Sequence, residues 1–192
     1  VIKKACAQKS AWLQQGLPAM RMAVNISLEE LRAHEDPVEW LMALLKESKM
    51  DPYLLDVEIK ENVLLAGDDK LLQALRELKT QGIQIVLDDY GNTNMNLDIL
   101  RKVSIDRIKI RPDVIRELAT DQSPVPIAAG LIAIAHSMHI KAVAEGVDTA
   151  QELSYLRNLK CDYAQGSFHS DPVSAEKIAE LVKKDQSIEI HI

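Results

Sequence analysis

Four carboxylates in this sequence stand where short β-branched runs end: Glu58, the adjacent pair Asp88 and Asp89, and Glu145. Asn25 and Gln165 close two further runs with neutral oxygen donors, and Lys109 closes another with a cation. Carboxylates brought together repel one another and resist ionisation unless a cation sits among them. A donor set made only of oxygen suits Mg²⁺ or Mn²⁺ better than zinc, which favours nitrogen and sulfur. The Asp88-Asp89 pair can bridge two ions. Two metals about 3.5–4 Å apart clamp the attacking and leaving oxygens of an in-line phosphodiester displacement. Lys109 then suits a phosphate oxygen or the attacking water. Metal-assisted phosphoryl transfer and enolate chemistry both fit this set.

Such residues need a scaffold that gathers strand ends. The strand candidates are Met20–Asn25, Leu54–Glu58, Ile83–Asp88, Ile105–Lys109, Ile140–Ala144 and Cys161–Gln165. Helical patterns lie between them at Asp36–Ser48, Asp68–Thr80, Pro126–Met138, Thr149–Leu159 and Ser174–Lys183. Asp36 reads as an N-cap with Pro37 at the first helical position. Leu71, Leu72, Leu75 and Leu78 share one helix face, and Gly82 marks the stop beyond it. Strands alternating with helices imply a parallel sheet with right-handed crossovers. A doubly wound sheet concentrates its chemistry at a switch point, whereas a barrel brings every strand C-terminus to one rim. Polar residues at all six strand ends favour the barrel. The expected fold is therefore α/β, a TIM-type (β/α) barrel over one domain, residues 1–192, with six of its strands present. Val1 falls in a helix-like run and is not Met, so a first barrel segment is expected to precede it.

Bulk properties narrow the function. Apolar residues are 47% and charged residues 27%, as in soluble globular proteins, so disorder is not expected. A net charge of −6 argues against a general affinity for DNA or RNA backbone. Cys6 and Cys161 are the only cysteines and form no metal-binding spacing, which fits a reducing cytoplasm. No run approaches the ~18–20 apolar residues of a membrane span, and no secretory signal is visible.

The local words around the strand ends add specificity. Val24-Asn25-Ile26-Ser27, Glu58-Ile59-Lys60-Glu61, Asp88-Asp89-Tyr90-Gly91, Ile108-Lys109-Ile110, Ala144-Glu145-Gly146-Val147 and Gln165-Gly166, with Pro172 beyond, stand in one order along the chain. In that order and approximate spacing they resemble the EAL domain family across nearly the whole chain. The resemblance implies hydrolysis of cyclic di-GMP to the linear dinucleotide pGpG with Mg²⁺ or Mn²⁺, as two ions. It implies Asn25, Glu58 and Asp88 as metal ligands, with Asp88 and Asp89 serving the second metal. Lys109 would contact the nucleophilic water, Glu145 would act as base or water-orienting group, and Gln165 would support the hydrated metal. Glu61 resembles the glutamate that steadies the loop after the aspartate pair. A homodimer and further signalling domains in the full-length protein are implied as well.

Three departures from the family pattern stand out. The Glu-Ala-Leu word is absent; the resemblance places it, with a further ligand and an arginine, before Val1. The loop after the aspartates reads Tyr90-Gly91-Asn92-Thr93-Asn94-Met95-Asn96-Leu97, where the family commonly has Phe-Gly-Thr-Gly-Tyr-Ser-Ser-Leu. Arg111 follows Lys-Ile where the family usually has Asp. These departures feed a second reading, an EAL-like receptor or interaction module without turnover.

Plainer roles compete at each position. Adjacent aspartates often cap helices or turns, and either Asn25 or Ser27 can cap a helix beginning near Leu28. Lys109 can be an exposed strand-end lysine, Glu145 a loop charge, and Gln165-Gly166 a simple turn. His34, His136, His139, His169 and His191 have no metal-pair spacing and read as structural or surface residues. Met20 and Met22 are expected in the core. The segment Asp185–Ile192 reads either as a tail or as a short edge strand.

Overall fold

The computed structural model describes residues 1–65, 69–91, 97–119 and 127–184. The elements run α1 (Ile2–Gln14), β1 (Met22–Asn25), α2 (Leu28–Arg32), α3 (Pro37–Glu47), β2 (Leu55–Lys60), α4 (Glu61–Leu65), α5 (Asp69–Thr80) and β3 (Gln84–Tyr90). They continue with α6 (Leu97–Lys102), β4 (Arg107–Ile110), α7 (Pro112–Arg116), α8 (Ile127–Ser137), β5 (Lys141–Glu145), α9 (Ala150–Asn158), β6 (Tyr163–Gln165) and α10 (Ala175–Lys184). The strands lie in the order β1-β2-β3-β4-β5-β6, and the pairs β1 with β2, β4 with β5 and β5 with β6 are parallel. Sequential parallel strands joined through helices are the winding of a TIM-type (β/α) barrel, since a doubly wound sheet would reverse its order. The altered loop at Asn92–Asn96 and the segment Asp185–Ile192 lie outside the described residues, as do the helix starts expected at Asp68 and Pro126.

The contacts divide into two units, one built around β1, β2 and the start of β3, the other around the end of β3 and β4 to β6. In the first unit, β2 is buried along Leu55, Asp56, Val57, Glu58 and Ile59, as a strand covered on both faces must be. Asp56 is tolerated there because Arg21 donates to it from Nε at 3.0 Å and from its second guanidinium nitrogen at 2.5 Å. Trp12, Leu17 and Ala179 form a cluster against which Met20, Met22, Ile178 and Val182 pack, so the two methionines do face apolar neighbours. In the second unit, Ile108, Ile110, Ala142 and Ala144 are fully buried on one face of β4 and β5. The period-two alternation of a strand sends Lys109, Val143 and Glu145 to the other face.

Every strand starts one or two residues later than its apolar run suggests, and at β3, β5 and β6 a helix stop is the reason. Leu17, Met50, Ile83, Ile140 and Cys161 are buried, and each donates its backbone N–H to the carbonyl five residues back. Each follows a residue of positive φ: Gly16 at 75°, Lys49 at 53°, Gly82 at 95°, His139 at 60° and Lys160 at 56°. This is the Schellman helix stop, in which an apolar residue just past the helix folds back on it. These residues therefore seal the preceding helix before the strand begins. At the other end several strands run further than expected, β2 to Lys60, β3 to Tyr90, β4 to Ile110 and β5 to Glu145. The caps explain the helix starts. Asp36 accepts from the N–H groups of Val38 and Glu39, both at 2.9 Å, with Pro37 opening α3. Thr149 and Glu152 form a capping box on α9.

Candidate metal centre

β3 carries the two aspartates near its end, and a regular strand would point them to opposite faces. Asp89 instead has φ 58°, the left-handed region that a non-glycine residue adopts at a cost. That break in the alternation lets adjacent carboxylates converge. Oxygens of Asp88, Asp89 and Glu145 all lie within 4.8 Å of one another. Asp88 is 8% exposed and Lys109 7%, so the group is largely shielded from water. Lys109 supplies the counter-charge: its Nζ is 2.7 Å from Glu145 Oε1 and 3.5 Å from Asp88 Oδ1.

Two close approaches fix the loop beyond Glu145. Gly146 has φ 67°, and a Cβ there would sit 2.6 Å from the Cβ of Pro112, so the exits of β4 and β5 touch. A Cβ on Gly166 would fall 2.2 Å from the Val147 carbonyl oxygen, so the exit of β6 lies backbone to backbone on that of β5. Gln165 pairs with Glu145 in the ladder, and its carbonyl accepts from the Val147 N–H at 3.1 Å. Gln165-Gly166 is thus more than a turn: its backbone is built into the neighbouring strand exit. Asp148 adds a further tie between these exits. Its carboxylate takes the Ser167 hydroxyl at 2.7 Å and the Ser167 N–H at 3.4 Å, which hold it below the usual carboxylate range.

The remaining expected ligands belong to the first unit. Asn25 ends β1 with an exposed side chain and pairs in register with Glu58 of β2, which is 8% exposed. Ser27, not Asn25, caps α2, its hydroxyl accepting from the Glu30 N–H at 3.2 Å. Glu61 opens α4 and is 6% exposed. Asn25 and Glu58 are therefore neighbours, as are Asp88, Asp89, Lys109 and Glu145 in the second unit.

Sequence reasoning marked Arg111 only as a departure and gave no role to Asp113 or Asp162. Arg111 and Asp113 form a two-point ion pair at the exit of β4, at 3.0 and 2.8 Å. At the opposite end of the same strands, Asp162 accepts from Lys141 at 2.6 Å and the Ala142 N–H at 2.9 Å, and it meets His136 Nε2 at 2.8 Å. Burial pushes that carboxyl up, yet these donors together hold it below the usual range. No sequence spacing signals the Asp162 cluster, because its partners come from the start of β5 and the end of α8.

An all-oxygen group of three carboxylates around one ammonium fits a hard divalent cation better than zinc. Among the described residues, no helix is long and apolar enough to cross a membrane.

A family model described as EAL domain matches residues 1–172 of the chain. The cyclic di-GMP phosphodiesterase NbdA of Pseudomonas aeruginosa is 28% identical over 183 residues, which is 95% of this chain and 23% of that protein. The chain spans about a quarter of the length of the curated relatives it matches. A solved complex of the PaMucR phosphodiesterase with c-di-GMP is 30% identical at a TM-score of 0.82, covering 92% of this chain and 71% of that one. Klebsiella pneumoniae BlrP1, solved with manganese and cyclic di-GMP, is 25% identical at a TM-score of 0.77, covering 86% of this chain and 41% of that one.

Proposed function

The chain belongs to the EAL domain family, and from that premise we propose that it hydrolyses cyclic di-GMP to pGpG with Mg²⁺ or Mn²⁺. The observation that carries the proposal is the convergence of Asp88, Asp89 and Glu145 within 4.8 Å of one another. Two bound divalent ions would supply Lewis acidity at the phosphoryl oxygens and a more acidic water. Asp88 and Asp89 would hold the ions, and Asn25 and Glu58 are assigned as further ligands from their places in the family words. Glu145 orients the attacking water and accepts its proton. Lys109, beside Asp88 and Glu145, would hold the attacking water or a phosphoryl oxygen. Gln165 supports the water shell, and Glu61 steadies the loop after Asp89. Attack at phosphorus breaks the bond to one 3′ oxygen, leaving a 3′ hydroxyl and a 5′ phosphate.

The chain acts as one EAL domain within a longer cytoplasmic signalling protein, as a homodimer and without DNA or RNA as ligand. A second reading, a cyclic di-GMP receptor without turnover, draws on the altered sequence from Asn92 to Asn96. Incubating the full-length protein with cyclic di-GMP and Mn²⁺, then separating the nucleotides chromatographically, decides between them. Accumulating pGpG supports the enzyme. Saturable binding with no pGpG supports the receptor.

A further inference from the structure

Arg111 stands two residues beyond Lys109, at the exit of β4. Its backbone is still extended, with φ −57° and ψ 149°, so the strand's alternation carries Arg111 onto the face that bears Lys109. The guanidinium is held from one side. Its Nε donates to Asp113 Oδ1 at 3.0 Å and its Nη2 to Asp113 Oδ2 at 2.8 Å. Asp113 thus engages two of the five N–H groups and leaves the others for a ligand. The arginine side chain is 32% exposed, within reach of solvent and ligand alike. Pro112, the next residue, lies against Gly146, which directly follows Glu145. Arg111 is therefore anchored beside the loop that leaves the acidic group.

Charge accounting gives this arginine a task. Lys109 lies against Asp88 and Glu145 and serves the reacting centre. In the described strand exits of this unit, the other lysine or arginine side chains are Arg111 and Arg116, and Arg116 stands 3.9 Å from Asp148 at the far end of α7. A cyclic dinucleotide carries two phosphodiesters, of which only one can be at the reacting centre. The other keeps its own negative charge, which a guanidinium at this exit can meet. A planar guanidinium with a tethering carboxylate matches a phosphodiester's two free oxygens.

We propose that Arg111, aimed by Asp113, receives the phosphodiester of the cyclic dinucleotide that is not being cleaved. The usual family pattern, with an aspartate at this position, does not supply such a residue. This rests on the phosphodiesterase reading above.

The test uses the full-length protein with Mn²⁺ and cyclic di-GMP, comparing wild type with Arg111→Ala, Arg111→Lys and Asp113→Asn. Arg111→Ala raises KM about tenfold or more while kcat changes less than about threefold, as loss of a charge-assisted contact to substrate requires. The slope of log KM against log salt is shallower in Arg111→Ala than in wild type, and Arg111→Lys restores that slope. Asp113→Asn keeps the salt slope and raises KM by less, which carries the test should Arg111→Ala fail to fold. An unchanged KM in Arg111→Ala, or a fall in kcat alone, overturns the inference and leaves the phosphodiesterase reading standing. Wild-type protein that neither binds nor cleaves cyclic di-GMP overturns both.

Discussion

Replacing Lys109 with Met keeps the length of the side chain and removes its charge, which isolates the ammonium's role. That ammonium lies 2.7 Å from Glu145 and 3.5 Å from Asp88, with side chains 9%, 16% and 12% exposed respectively. At an effective dielectric of about 20 the two attractions amount to roughly 6 and 5 kcal/mol before desolvation. Burying the lysine offsets much of this. Removing one partner of a buried pair costs about 3–5 kcal/mol, because the carboxylates are left uncompensated. For a domain of this size each kcal/mol moves the melting temperature by about 2–4 °C, so Lys109→Met should melt ~6–20 °C below wild type in EDTA. In saturating Mn²⁺ the cations balance the same carboxylates, and the deficit should shrink to about 1 kcal/mol or less. Scanning calorimetry of both proteins in EDTA and in Mn²⁺ gives the four transitions needed. Equal melting in EDTA refutes the claim that Lys109 balances the acidic group. A deficit of the same size in both conditions refutes the claim that a metal takes its place.

Two further outcomes follow from groups outside the centre. Asp162→Asn should cost about 1 kcal/mol near neutral pH, a figure discounted for solvent screening. Because the folded carboxyl titrates below its unfolded value, its contribution is present above the unfolded pKa of about 4 and is lost as pH falls through the folded one. Urea titrations of wild type and variant should therefore converge in acid. Lys160→Gly should stabilise by ~0.5–1 kcal/mol, since Lys160 holds φ 56° with an exposed side chain; a lower urea midpoint would contradict this.

The alternation of strands and helices was legible because apolar runs and caps such as Asp36-Pro37 act locally. The winding was legible from polar residues at every strand end. The starts of β3, β5 and β6 were misjudged because Ile83, Ile140 and Cys161 look like strand residues while serving as helix stops. Two of those stops use His139 and Lys160 at positive φ, where sequence rules look for glycine. At the site, the residue types at Asp88, Asp89, Lys109 and Glu145 pointed to metal chemistry. Their convergence depends on the left-handed turn at Asp89, which no residue type announces. Likewise Arg111 was visible as a departure, but its pairing with Asp113 is a matter of tertiary geometry.

The most direct test of the central claim is the initial rate of pGpG formation by the full-length protein as Mn²⁺ is varied, in wild type and in Asp88→Asn. The expected result is a saturable dependence on metal in wild type, abolished by EDTA, with the variant slower by about 100-fold or more. Hydrolysis that ignores EDTA, or an Asp88→Asn variant that turns over at the wild-type rate, would contradict it.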